Sequence, residues 1–156
     1  MNIVDDVTDL PGTGVLIGLD PGTKTIGVAV SDGLRMTATA IETIRRTKFA
    51  RDAERLRSLI NDRSASGFIV GLPRNMDGSE GPRAQSVRAF ARNLSGALSL
   101  PIAFWDERLS TVAAERTLID ADVSRKRRAE VIDAMAAQHI LQGALDRLAF
   151  VLRGNA

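Results

Sequence analysis

Three short apolar runs set the frame for this chain. Gly14 to Leu19 (GVLIGL), Gly67 to Leu72 (GFIVGL) and Pro101 to Trp105 (PIAFW) carry no charge, and each stops at polar residues: Asp20, the loop after Pro73, and Asp106-Glu107. Uncharged runs of this length bounded by turn residues read as strands buried on both faces, the habit of parallel strands covered by helices. The intervening segments supply such helices. Phe49, Ala53, Leu56 and Ile60 recur at helical spacing over residues 48–62, and Val87, Phe90, Leu94 and Leu98 mark a second helix from Pro82.

Further elements fill out the order. Asp20-Pro21-Gly22-Thr23 is a Pro-Gly turn joining the first run to Thr25–Val30 (TIGVAV), so the two predict a hairpin, and Met36 to Ile44 alternates as a third strand. Ser110 is an N-cap for a helix through Ile119, and Leu141, Leu145, Leu148 and Leu152 carry a long helix that begins near Arg128. The resulting β-β-β-α-β-α-β-α-α order predicts an α/β domain over residues 13–153: a mixed five-stranded sheet flanked by helices, with the strands ending at Asp20, Leu72 and Glu107 parallel. Residues 1–12 hold Asp5, Asp6 and Asp9 with no base, and read as a flexible tail.

Composition narrows the chemistry. Among 156 residues there is no Cys, no Tyr and one His, so thiolate nucleophiles, disulfides and thiolate zinc sites are excluded. A Ser/His/Asp arrangement has only His139 to use, and His139 reads as a helix-side residue. What remains is carboxylate, hydroxyl and cation chemistry, in which a hard divalent ion or acid/base catalysis is the natural route. No run approaches the ~18 apolar residues of a membrane span. The amino terminus has no basic stretch leading into an apolar one. The expectation is therefore a cytoplasmic protein with no membrane partner.

Ligands of open α/β sheets bind beyond the carboxyl ends of the parallel strands. Asp20 stands at one such end, and Asp106 and Glu107 at another. Neighbours at a strand end point to opposite faces, so only one of that pair turns inward. Asp133 is the third candidate, because helical spacing sets it on the small apolar face of Ala136, Ala137 and Ile140; Glu130 lies on a similar face as an auxiliary. Burying a lone carboxylate costs several kcal/mol unless it is paired or metal-bound. Three of them together repel and raise each other's pKa values unless a divalent cation neutralises the set. Mg²⁺ or Mn²⁺ suits such oxygen donors, and a pair of such ions activates water in phosphodiester hydrolysis. Taken singly, each acid has an ordinary explanation: Asp20 opening a turn, Glu107 or Asp133 in a salt bridge. Asp32 and Asp77 read as turn acids.

The net charge is +2, from 21 basic and 19 acidic side chains, but the charges are unevenly spread. Residues 45–92 hold eleven bases against five acids, and Arg125, Lys126, Arg127 and Arg128 form an unbroken run. Lys24, Arg74 and Arg108 lie near the acidic rim as candidate phosphate contacts, and residues 125–128 extend the track, which makes nucleic-acid binding salt-dependent. Few aromatic residues are available for stacking, so recognition leans on backbone and shape.

Four stretches, in order, resemble the YqgF/RuvX family of Holliday-junction-resolvase-like proteins. They are Gly18-Leu19-Asp20-Pro21-Gly22-Thr23-Lys24-Thr25-Ile26-Gly27-Val28-Ala29-Val30-Ser31-Asp32, then Val70-Gly71-Leu72-Pro73, Asp106-Glu107-Arg108-Leu109-Ser110-Thr111, and Asp133 to Gln142 (DAMAAQHILQ). The resemblance implies a ribonuclease H-like fold and a metal-dependent nuclease with Asp20, Glu107 and Asp133 as the catalytic and metal-binding carboxylates. It further implies Mg²⁺ or Mn²⁺ as cofactor and processing of the 5′ end of pre-16S rRNA during ribosome biogenesis. Thr25 departs from the family's usual Arg after the Lys. Two other functions are weighed against this one. The first is a resolvase of four-way DNA junctions, which works as a homodimer where an RNA nuclease can act as a monomer. The second is a non-catalytic nucleic-acid-binding module. A sugar-kinase or actin-like ATPase, suggested by Asp20-Pro21-Gly22-Thr23, needs two lobes and a second Asp-Gly-Gly type loop, which this chain lacks. Structured RNA, or branched DNA, is thus the expected partner.

Overall fold

The computed structural model describes residues 2–109 and 125–154, and within the second stretch the side chains of 132–153. Six strands and three long helices are described. They are β1 (Ile3–Val4), β2 (Val15–Pro21), β3 (Thr25–Ser31), β4 (Ala38–Arg45), α1 (Phe49–Arg63), β5 (Ala65–Leu72), α2 (Pro82–Ala97), β6 (Ile102–Asp106) and α3 (Arg125–Gly154), with single 3-10 turns at Val7–Asp9 and Glu107–Leu109. The sheet order is β1-β6-β5-β2-β3-β4. β1, β6, β5 and β2 run parallel; β3 adds antiparallel to β2, and β4 antiparallel to β3, on one side. The expected helix from Ser110 to Ile119 lies outside the described residues.

Two features depart from the sequence reading. The sheet has six strands rather than five, and the added one comes from the segment expected to be a loose tail. Ile3 and Val4 pair with Ile102 and Ala103, and Val7 and Leu10 are buried under α3. Asn2 is held at both ends, its N–H on Ser95 Oγ at 2.8 Å and its carbonyl accepting from Ile102 N–H at 2.9 Å.

Local chemistry ends the elements where it should. α1 closes on Ser64, which takes the left-handed conformation (φ 54°) and donates its N–H to Ile60 O. α2 starts with Pro82 at its first position, where a missing N–H costs nothing.

The sheet separates two cores. On one face Leu56 and Leu59 of α1 and Val87, Phe90 and Leu94 of α2 cover Ile17, Leu19, Val28 and Phe68. On the other, α3 packs Ala136, Ala137, Ile140, Leu141, Ala144 and Leu145 against Leu16, Ala29 and Ile69, with Val7 and Leu10 in the same core. Complete burial of Ile140 and Leu141 contributes about 1.5–3 kcal/mol each. Glycine lets this helix sit close: a Cβ on Gly18 would stand 2.7 Å from Leu141 Cβ and 3.0 Å from Ala137 O.

Candidate active site

Strand alternation decides which side chains face α3. In β2, Ile17 and Leu19 belong to the α1/α2 core whereas Leu16 belongs to the α3 core, so Asp20 shares the α3 face with Leu16 and Gly18. Asp20 is only 4% exposed. Its cross-strand neighbour on β3 is Gly27. On the parallel side Leu19 pairs with Val70, which puts Gly71 at the level of Asp20. A Cβ on Gly27 would lie 1.8 Å from the carbonyl oxygen of Asp133, and one on Gly71 would lie 2.9 Å from Glu107 Oε1 and 2.4 Å from Ile140 Cδ1. Asp20 thus stands between two glycines, with the Asp133 backbone over one and the Glu107 carboxylate against the other. The three acids reach the same rim and the same face of the sheet.

They do not meet as one cluster. Among the described residues no three His, Cys, Asp or Glu side chains gather into a group that could hold an ion. The Asp133 carboxylate instead accepts a short hydrogen bond from the Thr25 hydroxyl. Thr25 is a contact that sequence reading noted only as a departure from the family pattern. Its signal was present in the alternation of β3, which places Thr25, Gly27 and Ala29 on one face.

Asp106 is turned away. It follows Phe104 on the α1/α2 side of β6, and Arg108 holds it from its backbone N–H at 2.9 Å, Nε at 3.0 Å and Nη2 at 2.7 Å. The Arg108 guanidinium keeps the Asp106 carboxyl below its ordinary value of 3.8, outweighing desolvation. Arg108 also reaches Met76 O at 3.3 Å, tying β6 to the loop between β5 and α2. Arg74 lies 3.7 Å from Glu80, which itself accepts two bonds from Arg88 at 2.6 and 2.8 Å. Arg74 and Arg108 are therefore already engaged by acids. Lys24 is exposed on the β2–β3 turn. The side chains of Arg125, Lys126, Arg127, Arg128 and Glu130 lie outside the described residues, although all five belong to α3.

The remaining residues behave as read. Asp32 caps its turn by accepting from Met36 and Thr37 N–H at 2.7 and 2.9 Å, and Asp77 accepts from Ser79 N–H at 2.9 Å. His139 stays a helix residue, its Nε2 buried with no hydrogen-bond partner among the described residues.

A family model described as "RuvX: Holliday junction resolvase" matches residues 14–147. The chain belongs to the RuvX family. Its RuvX relatives include a protein of Cereibacter sphaeroides, 69% identical over 147 residues, which are 94% of this chain and 92% of that protein. Another, from Paracoccus denitrificans, is 68% identical over 144 residues, 92% of this chain and 91% of that protein. Both carry the name "Putative pre-16S rRNA nuclease". Among solved structures, Thermus thermophilus RuvC in complex with a Holliday junction superposes with a TM-score of 0.53 at 12% identity, covering 87% of this chain and 96% of that one. The yeast mitochondrial Holliday junction resolvase Ydc2 gives 0.52 at 13% identity, covering 95% and 84%. At such low identity these likenesses speak for the fold, which is ribonuclease H-like. Family and relatives together make the RuvX chain a nuclease, a hydrolase of phosphodiester bonds.

Proposed function

We propose that this protein is a divalent-metal-dependent nuclease of the cytoplasm that processes the 5′ end of pre-16S rRNA, with Asp20, Glu107 and Asp133 as its working carboxylates. The observation that carries this reading is the placement of Asp20, 4% exposed at the carboxyl rim between Gly27 and Gly71, which seat Asp133 and Glu107 beside it. An all-oxygen donor set on an apolar sheet fits Mg²⁺ or Mn²⁺ and leaves no softer ligand for zinc. The fit requires Asp133 to exchange its Thr25 contact for the ion. Bound there, the cation would supply Lewis-acid polarisation of the phosphoryl group. The residues' own part is to hold the ion at the rim, offer oxygen acceptors to the attacking water and, through Lys24 on the adjoining turn, meet a non-scissile phosphate.

The test compares wild-type protein with Asp20→Asn on a 5′-extended 16S precursor RNA and on a four-way DNA junction, in Mg²⁺, Mn²⁺ and EDTA. The expected result is metal-dependent trimming of the RNA that is lost in Asp20→Asn while the fold melts as before. Undiminished cleavage by Asp20→Asn refutes the site. The name of the matching family favours a second reading, resolution of four-way DNA by a homodimer; preferential cutting of the junction, with a dimer in sedimentation, supports it. Binding in EDTA with no cleavage in either metal supports a non-catalytic module.

A further inference from the structure

On the sheet face opposite the acids, a groove of about 550 Å³ opens directly beyond Pro21, the residue after Asp20. The β2–β3 turn forms one wall, and the Arg46-Thr47 link and the first turns of α2 form the others. Among the described residues its lining holds two charges, Arg46 and Arg83, and no acid; Thr23, Thr47, Ser86 and Asn93 add hydroxyl and amide donors. The first turn of α2 is also free of acids.

The guanidinium of Arg46 is fixed in place. It donates to Gly22 O at 2.5 Å and lies 5.2 Å above the Phe90 ring, which Phe49 meets edge-on at 6.2 Å. A guanidinium carries five N–H donors in a rigid fork, so this anchoring leaves others for a ligand. Four other arginines are paired with acids: Arg55 with Glu42, Arg57 with Glu54, Arg88 with Glu80 and Arg108 with Asp106. Arg46 and Arg83 have no acidic partner among the described residues. A concave strip with uncompensated guanidinium groups, neutral donors and no acid matches a phosphodiester backbone, whose oxygens only accept.

We infer that this groove holds the backbone of the RNA strand as it leaves the acids around the Asp20–Pro21 corner, with Arg46 and Arg83 contacting phosphates. The inference rests on the nuclease site proposed above. It is tested by fluorescence anisotropy of a labelled RNA hairpin with a single-stranded 5′ extension, bound to the full chain in EDTA over a NaCl series. Arg83→Gln should weaken binding several-fold and lower the slope of log Kd against log salt by about 0.7, the value of one phosphate contact on a single strand. Arg83→Lys should restore the slope, and Arg46→Gln should reduce it in the same way. Arg63→Gln, at the far end of α1, is the control and should bind as wild type. Arg83 is exposed, so its variants report on binding with the fold intact. Wild-type affinity and slope in both Arg83→Gln and Arg83→Glu overturn the groove. The two proposals separate cleanly. If Asp20→Asn abolishes cleavage while the Arg83 variants bind normally, the groove alone falls; if Asp20→Asn still cleaves while Arg83→Gln loses affinity, the site alone falls.

Discussion

A single methyl group is more than the candidate site can accept at Gly27, because the obstacle is the backbone carbonyl of Asp133 at 1.8 Å and not a side chain that can rotate aside. Gly27→Ala should therefore push α3 off the sheet, destabilising the protein by roughly 1–3 kcal/mol or more, read from urea unfolding midpoints. Thr25 offers a subtler test. Thr25→Val keeps the shape and suits a strand, but removes the hydroxyl that orients the Asp133 carboxylate. The expected outcome is near-wild-type stability with a changed metal concentration for half-maximal cleavage, and recovery in Thr25→Ser. Unchanged metal dependence would show that Thr25 does not position the acid. At this scale the sequence is informative where alternation applies: it explains why Glu107 and not Asp106 faces α3. It is silent on Arg46 and Arg83, whose common groove arises from a turn, a link and a helix brought together only by the fold.

At the level of elements, α3 is keyed to the open edge of the sheet. Gln138 Oε1 accepts from Ala40 N–H and Gln142 Oε1 from Ala38 N–H, both at 2.9 Å, while Gln142 Nε2 donates to Met36 O at 3.1 Å. These amides occupy β4 groups that an edge strand would otherwise present for pairing with another chain. They also fix the rotation of α3, and so the direction of Asp133 one and a half turns earlier. Gln138→Ala should cost about 1–3 kcal/mol through the unpaired Ala40 donor and speed hydrogen exchange at that amide. The three described helices and the five longer strands were legible from apolar spacing, since each spans enough residues to show a period. β1 was not. Two residues show no period, and the acids around them suggested solvent, although Val7 and Leu10 hold the segment in place.

For the molecule as a whole, acid is the weak point. Asp106, Glu80, Asp77 and Asp32 all have carboxyls held below their ordinary values, chiefly by hydrogen bonds from Arg108, Arg88, Ser79 and the Thr37 backbone N–H respectively. In the unfolded chain these groups take up protons at 3.8 for Asp and 4.5 for Glu. Below those values the unfolded state binds more protons, so the stability they contribute is complete above that range and is lost as the pH falls through the depressed folded values. Melting temperature should be level above the range and drop beneath it. Mg²⁺ provides a second global readout. An ion bound only by the folded protein stabilises it by mass action, so wild type should melt higher in Mg²⁺ and Asp20→Asn should not. The position of Asp133 has a final consequence. β2 finds its partners early in the chain, but the third carboxylate arrives on the last helix, seated against Gly27. The last strand, β6, ends at Asp106, so the whole described sheet precedes Asp133 in the order of synthesis. The candidate site is therefore completed only by the last described element, after every strand it packs against has been made.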